Sequence, residues 1–222
     1  MYVPAHFAMS PDEVRELLSA VTTVDLVSTT PDGLTATFLP MLYDQQAGTL
    51  QGHVARNNPH WQVATGTSLA IVHGPDAYVR PGFHASKFEH GRVVPTWNYV
   101  TAHVCGQLVV HDDVEWVRSL VSRLTARHEE PTGQPWAMSD GPADYIEGQL
   151  RAIVGLELVV ERIEAKAKLS QNKSVADQHS VRAALAAGGP GEQAVAERMV
   201  PKERRRPDRP ARADTGGPGA GR

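Results

Sequence analysis

The stretch 52–61, GHVARNNPHW, collects side chains that could bind an anion. Asn58 can cap a helix that begins at the following proline, and a helix N-terminus offers free backbone amides and the positive end of its dipole. Arg56 adds a planar set of donors suited to phosphate, and Asn57 and His53 add further donors. The stretch therefore predicts a phosphate site. A capped surface helix with a solvated arginine is the alternative, and this stretch alone does not separate the two.

A second stretch, VPTWNY, combines aromatic rings with polar groups. It places Thr96, Trp97 and Asn98 beside a further aromatic residue. A planar heteroaromatic ligand needs a ring to pack against and donors or acceptors at its edge, and this mixture provides both. Between the two stretches, Lys87 supplies an ammonium group. The alternatives are a tryptophan buried in the core and an ordinary surface lysine.

Catalytic and metal-binding patterns are missing from the sequence. The ten histidines show no HExxH spacing, and no acidic cluster accompanies them. We find no P-loop, GxGxxG or nucleophile-elbow motif. The sequence therefore predicts no metal site and names no catalytic residue. A haem or zinc site around His53, His73 or His103 is the minor alternative.

The composition is that of one globular domain, since 222 residues of which 41% are hydrophobic suffice for a single core. The net charge of -3 does not favour an acidic partner. The single cysteine, Cys105, excludes an intramolecular disulfide and a cysteine-based zinc site. The first residues lack the pattern of a secretory signal, and no apolar run has the length of a membrane helix. We expect a cytoplasmic protein that does not enter the membrane.

Four segments carry helix signals. The first contains a capping box formed by Ser10 and Glu13, with Pro11 at the first helical position. The others combine a capping residue with apolar residues at helical spacing. The predicted helices are SPDEVRELLSAV, DDVEWVRSLVSRLTARHE, GPADYIEGQLRAI and NKSVADQHSVRAALAAGG.

Strand patterns occupy much of the remaining chain. In the longest, alternate residues from Val100 to Val110 lie on one face, and Gly106 marks a bend or bulge. The strands do not alternate regularly with helices, which argues against a doubly wound parallel sheet. They predict a mainly β protein with flanking helices (α+β), built on a closed or split antiparallel β-barrel. The predicted strands are VDLVSTT, LTATFLPMLY, GTLQGHV, SLAIVHG, VVPTWNYVTAHVCGQLVV and GLELVVERIEAKAKL.

The folded domain is predicted to span residues 1–188. Residues 189–222 are rich in Pro, Gly and Arg, lack apolar periodicity and predict a disordered basic tail. Its run KERRRPDRPAR could contact nucleic-acid phosphates. A tail that only improves solubility is the favoured alternative.

Several segments, taken in order, resemble the PaiB-like family of FMN-binding negative transcriptional regulators. The resemblance covers roughly residues 1–187 and implies an antiparallel split β-barrel of the FMN-binding type, related to pyridoxamine-phosphate oxidases. It also implies a homodimer with flavin sites near the subunit interface and a link to repression of transcription, without establishing direct contact with DNA. The segments are MYVPAHF, ATFLPMLYD, GHVARNNPHW, HGPDAYV, VPTWNYVTAHVCG and KLSQNKS.

The resemblance also assigns residues to the flavin. It implies that Arg56, Asn57 and Lys87 hold the phosphate of FMN. One segment departs from the family pattern, because RPGFHASK at residues 80–87 stands where the family has Ser-Trp-Tyr after a proline. A different small ligand is therefore an alternative to FMN. The remaining residues that the resemblance places around the flavin are Thr37, Leu39, His53, Val54, Thr96, Trp97 and Asn98.

Three functions are consistent with the sequence. The favoured one is a homodimeric, flavin-dependent regulator of transcription that acts as a repressor. The second is a flavin-dependent oxidoreductase that acts on an unidentified small substrate. The third is direct binding of DNA through the basic tail, since the folded part is net acidic and shows no helix-turn-helix pattern.

Overall fold

Strands that pair antiparallel form a closed barrel in the part of the chain that the structure describes, residues 1–133 and 135–200 of a computed structural model. Neighbouring strands follow the order β1, β2, β3, β6, β5 and β4, and β4 pairs again with β1. The predicted α+β class with an antiparallel barrel is confirmed. The strands are β1 (Thr23–Thr30), β2 (Gly33–Asp44), β3 (Thr49–Ala55), β4 (Thr65–Val79), β5 (Thr96–His111) and β6 (Ile153–Lys168).

Helices flank the barrel, and the side chains of Ser10, Asp113 and Ser174 cap three of them as predicted. The Ser10 hydroxyl accepts from the backbone of Glu13 at 3.3 Å, and the Glu13 carboxylate accepts from the backbone of Ser10 at 2.6 Å. No helix in residues 1–133 and 135–200 is both long and apolar enough to cross a membrane. The helices are α1 (Pro11–Ser19), α2 (His60–Val63), α3 (Ser86–His90), α4 (Val114–Glu129), α5 (Ala143–Arg151), α6 (Val175–Ala186) and α7 (Pro190–Arg198).

Strand β2 changes its partner partway along its length, and this change splits one side of the barrel. Residues 33–40 pair with β1, whereas only residues 41–44 pair with β3. Where the partner changes, the strands approach so closely that a Cβ on Gly52 would lie 2.6 Å from the carbonyl oxygen of Pro40. The turn after β3 reaches across the split, because two of its side chains bond to Thr37 on β2.

Strand β5 bends at the predicted glycine. The pairing with β6 shifts register between Cys105 and Gly106. A Cβ on Gly106 would lie 1.9 Å from the carbonyl oxygen of Val159, so the two strands pass closer than any other residue type allows. Before the bend, alternate residues from Val100 face the core as predicted, whereas Val110 beyond it is 38% exposed.

Helix α7 extends the folded part beyond the predicted boundary at residue 188. It begins at Pro190, packs against β4 and α6, and buries Val195 completely in the main core. Met199, directly after the helix, is also buried in that core. The expectation of disorder from residue 189 is therefore wrong for residues 190–199. The prediction failed because α7 has few apolar residues. The Gly, Pro and Arg around it therefore dominate the composition of residues 189–222. The remaining part of the predicted tail, residues 201–222, lies outside the described residues.

Candidate functional site

Two of the predicted flavin residues, Arg56 and Trp97, lie near opposite ends of strand β5. Arg56 follows β3 and bonds to Asp112, which directly follows the last residue of β5. Thr96 and Trp97 are instead the first two residues of β5. At about 3.3 Å per residue, roughly 50 Å of extended strand separates Trp97 from Asp112. Along β5, Arg56 and Trp97 are therefore far apart.

We call the two sets of predicted residues the β3 group and the β5 group. The β3 group lies on β2, on β3 and in the turn that follows β3. The β5 group lies at the start of β5 and on α3. The β3 group consists of Thr37, Leu39, His53, Val54, Arg56 and Asn57, and the β5 group consists of Lys87, Thr96, Trp97 and Asn98.

Arg56 of the β3 group directs most of its donors to the protein itself. Its Nε donates to the carbonyl oxygen of Arg151 at 2.8 Å, and its terminal nitrogens donate to the two carboxylate oxygens of Asp112 at 3.0 and 2.5 Å. The paired hydrogen bonds raise the pKa of Arg56 and lower the pKa of Asp112. A further bond to the carbonyl oxygen of Ile153 means that the guanidinium joins the end of β3 to the ends of β5 and α5 and to the start of β6.

Asn57 is the exposed polar residue of the predicted phosphate turn. The side-chain oxygen of its neighbour Asn58 accepts from the backbone of His60 at 2.9 Å, but α2 begins at His60 with Pro59 as its N-cap, one residue later than predicted. Helix α2 is a single turn, so it adds little macrodipole to the site. An anion near this turn would depend on side-chain donors such as Asn57.

A buried chain of hydrogen bonds centred on His60 anchors the same turn to β1 and β2. The two ring nitrogens of His60 lie 2.8 Å from the hydroxyl of Ser28 and 2.9 Å from that of Thr37. Ser28 in turn bonds to Ser68 on β4 at 2.7 Å, and Asn58 donates to Thr37 at 3.3 Å. This chain of hydrogen bonds was not predicted, because its members are far apart in sequence. The hydroxyl of Thr37 takes part in these hydrogen bonds, and Thr37 therefore positions the turn.

Buried histidines make the stability of the fold depend on pH. Burial lowers the pKa of His60 and of His53, so the folded protein favours their neutral form. The unfolded chain then binds more protons below pH of about 6.5, and we expect stability to fall as the pH drops from about 6.5 toward the lower folded-state pKa. Urea denaturation at pH 7.5 and 5.5 measures this loss. His60→Gln should show a smaller loss than the wild type, while His90→Gln, a change at an exposed position, should match the wild type. An equal loss in all three proteins would contradict the role given to His60.

His53 faces a cavity of about 410 Å³ between the outer side of the barrel and helices α4 and α5. The Nδ1 atom of His53 is buried and has no hydrogen-bond partner within the described part of the chain. The residues around the cavity are mostly apolar or aromatic. They are His53, Val121, Trp136, Met138, Tyr145, Ile146, Gln149, Leu150 and Ile153.

Three of the predicted site residues have side chains enclosed in the protein. Leu39 and Val54 belong to the main core. Asn98 accepts from the hydroxyl of Ser170 at 3.1 Å and lies 3.6 Å from the sulfur of Met199. In this structure the three side chains support the barrel and its C-terminal helices, and they do not face an open site.

Trp97 is the open aromatic residue of the β5 group, since 52% of its surface is exposed. Its ring lies 5.7 Å from that of Tyr78, measured between ring centroids. Lys168, at the end of β6, donates to the hydroxyl of Thr96 at 2.7 Å and to the carbonyl oxygen of Trp97. Burial, followed by the charges of two neighbouring lysines, lowers the pKa of Lys168. Sequence reasoning did not include Lys168, although its segment KLSQNKS is dense in donors.

Lys87 is exposed on the short helix α3, which is anchored from the other side. The buried carboxylate of Asp177 accepts from both the backbone and the hydroxyl of Ser86 at 2.9 Å. These contacts fix the segment 80–87, which departs from the pattern of the PaiB-like family. They leave the ammonium of Lys87 at the surface. Within the described residues, no three His, Cys, Asp or Glu side chains come together as a metal site.

Known proteins include a family and several relatives that this chain resembles in sequence. The profile of a family described as "Putative FMN-binding domain" matches residues 1–162. The Bacillus subtilis protein named "Protease synthase and sporulation protein PAI 2" is 28% identical over 186 residues, which cover 82% of this chain and 87% of the relative. An uncharacterized protein of Aspergillus fumigatus is 33% identical over 172 residues, which cover 62% of this chain. This match spans 66% of the fungal relative, slightly less than two thirds of its length.

A solved structure supports the fold. The conserved hypothetical protein Rv2991 from Mycobacterium tuberculosis superposes with a TM-score of 0.58 at 12% sequence identity. The superposition covers 78% of this chain and 94% of that protein. The split-barrel architecture is therefore shared by proteins whose sequences differ greatly.

Proposed function

Since this chain belongs to the family described as "Putative FMN-binding domain", we propose that it binds FMN and acts as a homodimeric, flavin-dependent regulator of transcription. The family match over residues 1–162 carries the flavin part of the proposal. The similarity to PAI 2 of Bacillus subtilis over most of both chains supports the PaiB-like regulatory part. The repressor role and the location in the cytoplasm are parts of this proposal.

The exposed side chains fit the chemistry of FMN. Asn57 and Lys87 offer an amide and an ammonium to a phosphate dianion. The half-exposed indole of Trp97 offers a flat surface to the isoalloxazine ring. Arg56 can contribute the positive charge near Asn57, with its orientation fixed by Asp112.

A homodimer resolves the separation of the two groups. The exposed turn of one protomer, which carries Asn57, and the exposed Lys87 and Trp97 of its partner can together hold a single flavin, and twofold symmetry then produces two identical sites. Each site would take Asn57 from one chain and Lys87 and Trp97 from the other. FMN and the second copy are thus the partners that this proposal requires.

Different residues of the chain would have different roles around the bound flavin. FMN supplies a ring that can accept and release electrons. Asn57 and Lys87 would hold its phosphate, and Trp97 would shield one side of the ring from water. Lys168, held against Thr96 and the Trp97 carbonyl, would keep a positive charge close to that ring.

Reconstitution with FMN tests the flavin part of the proposal. We expect the purified protein to carry a yellow chromophore or to acquire it when mixed with FMN, with quenching of flavin fluorescence on binding. Binding should also raise the melting temperature, because a ligand that prefers the folded state stabilises it. Riboflavin, which lacks the phosphate, should bind more weakly than FMN. A colourless protein whose melting temperature is unaffected by FMN would refute this proposal.

The regulatory part is tested by comparing transcripts in cells with and without the intact gene. We expect a set of transcripts to rise when the protein is absent and to return when it is restored. Restoration with a variant that carries both Asn57→Glu and Lys87→Glu should fail if the regulation depends on flavin. An unchanged transcript profile would contradict the repressor role.

The cavity beside His53 favours a second candidate function, a flavin-dependent oxidoreductase acting on a small substrate. It offers an apolar space for a substrate close to the β3 group. Reduction of bound flavin by NADPH, followed by reoxidation with an added acceptor, would favour this function. Failure of every reductant tested would leave the regulator as the better interpretation.

A further inference from the structure

We propose that the cavity around His53 binds an uncharged aromatic molecule of two or three rings that carries one hydrogen-bond donor. The lining of the cavity includes His53 but neither Asn57 nor Lys87, the exposed side chains proposed to hold the FMN phosphate. The inference does not rest on flavin binding, because it depends only on the volume, lining and polar groups of the cavity.

The volume sets the size of the ligand. An apolar cavity of about 150 Å³ in another protein accommodates benzene. The cavity beside His53 measures about 410 Å³, which leaves room for two or three fused rings. Its walls come from α4, α5 and the start of β6, so the space lies between packed elements.

The lining sets the charge of the ligand. Among the described residues that line the cavity, none is Lys, Arg, Asp or Glu. A phosphate or carboxylate placed there would lose its hydration without gaining a charged partner. The cavity therefore suits a neutral molecule, and the charged end of FMN suits the exposed donors elsewhere.

His53 sets the polar group of the ligand. Its buried Nδ1 has no partner among the described residues, and buried polar groups in folded proteins are normally hydrogen-bonded. Burial also lowers the pKa of His53 and favours the neutral ring, in which one nitrogen accepts a hydrogen bond. A hydroxyl or ring N–H on the ligand would complete that bond.

Two aromatic residues lie at the open side of the cavity. Trp136 is 42% exposed and Tyr145 is 60% exposed, although both also line the cavity. The exposed side chain of Gln149 lies on the same helix as Tyr145. A flat ligand could pass between these side chains and pack its rings against them.

Binding of 2-naphthol and of 2-methoxynaphthalene to the purified protein tests the proposal. Both probes are neutral two-ring molecules, but only the first donates a hydrogen bond. We expect 2-naphthol to bind about fivefold to tenfold more tightly in calorimetry, the gain from one buried hydrogen bond. His53→Phe keeps a ring of similar size but removes the acceptor, so it should bind the two probes equally.

A blocking variant and a matched control complete the test. Gln149→Trp changes an exposed residue at the cavity and should prevent binding of both probes without unfolding α5. Gln46→Trp makes the same exchange in the exposed β2–β3 turn and should leave binding unchanged. Saturating FMN should also leave the binding of 2-naphthol unchanged. The proposal is overturned if neither probe binds, if His53→Phe and Gln149→Trp have no effect, or if FMN displaces 2-naphthol.

Discussion

Tight binding of FMN should reappear when two variants that each bind it weakly are mixed. Asn57→Glu places a negative charge where the β3 group is proposed to meet the phosphate, and Lys87→Glu does the same in the β5 group. Each change should weaken FMN binding by about 10- to 100-fold, because a charge-assisted hydrogen bond is replaced by repulsion. Both positions are exposed, so neither change should disturb the fold.

Mixing restores binding because the two groups belong to different protomers of each proposed site. In a mixed dimer, one site contains both substitutions and the other contains neither. After random exchange of protomers, about a quarter of the wild-type number of sites should bind FMN with full affinity, because half of the dimers are mixed. Calorimetric titration of the mixture measures both the number and the affinity of these sites.

Two controls make this result specific. Gln46→Glu adds the same charge at another exposed position and should bind FMN like the wild type. Incubating either weak-binding variant alone under the exchange conditions should restore no binding. If the mixture also binds no FMN although mass spectrometry shows mixed dimers, the two groups do not share a site across the interface.

Gly106→Ala adds a single methyl group to the barrel and should strongly lower its stability. The added Cβ would lie 1.9 Å from the carbonyl oxygen of Val159 and 2.8 Å from its carbonyl carbon. Both are backbone atoms of the neighbouring strand, so no side-chain rotation relieves the clash. We expect a loss of about 3 kcal/mol or more in the free energy of unfolding, at the upper end of the usual cost of overpacking.

Gly148→Ala is the matched control for this substitution. Gly148 lies within α5, and a Cβ built there has no neighbouring atom within 4 Å. Because alanine favours the helix more than glycine does, this change should stabilise the protein by about 0.5–1 kcal/mol. Urea denaturation of both variants measures the two effects. Equal stabilities of Gly106→Ala and the wild type would show that β5 and β6 can separate at little cost.

Much of the fold could be predicted because its signals are local. The capping box at Ser10, the alternation along β5 and the bend at Gly106 each depend on residues close together in sequence. Helix α7 escaped prediction because its stability comes from packing. Val195 and Met199 are buried in the main core, and α7 packs against β4 and α6, which the local composition does not reveal.

The candidate site was less predictable because sequence order does not give distance. Arg56 was expected to be free for a phosphate, but its partner Asp112 lies more than fifty positions further along the chain. Lys168 likewise meets Thr96 through the pairing of β5 with β6. Among the predicted residues, Asn57, Lys87 and Trp97 are exposed in the structure, and their role at a flavin stays a prediction. The separation of the two groups along β5 became visible only in three dimensions.

The strand order of the barrel also determines when the chain can finish folding during synthesis. Strand β3 pairs with β6, which the ribosome makes only after β4, β5, α4 and α5. Until then, one edge of β3 has no partner, and unpaired strand edges promote association between chains. Such distant pairing also slows folding, because a long loop must close before the contacts form. The nascent chain therefore passes through an incomplete barrel that chaperones are suited to protect.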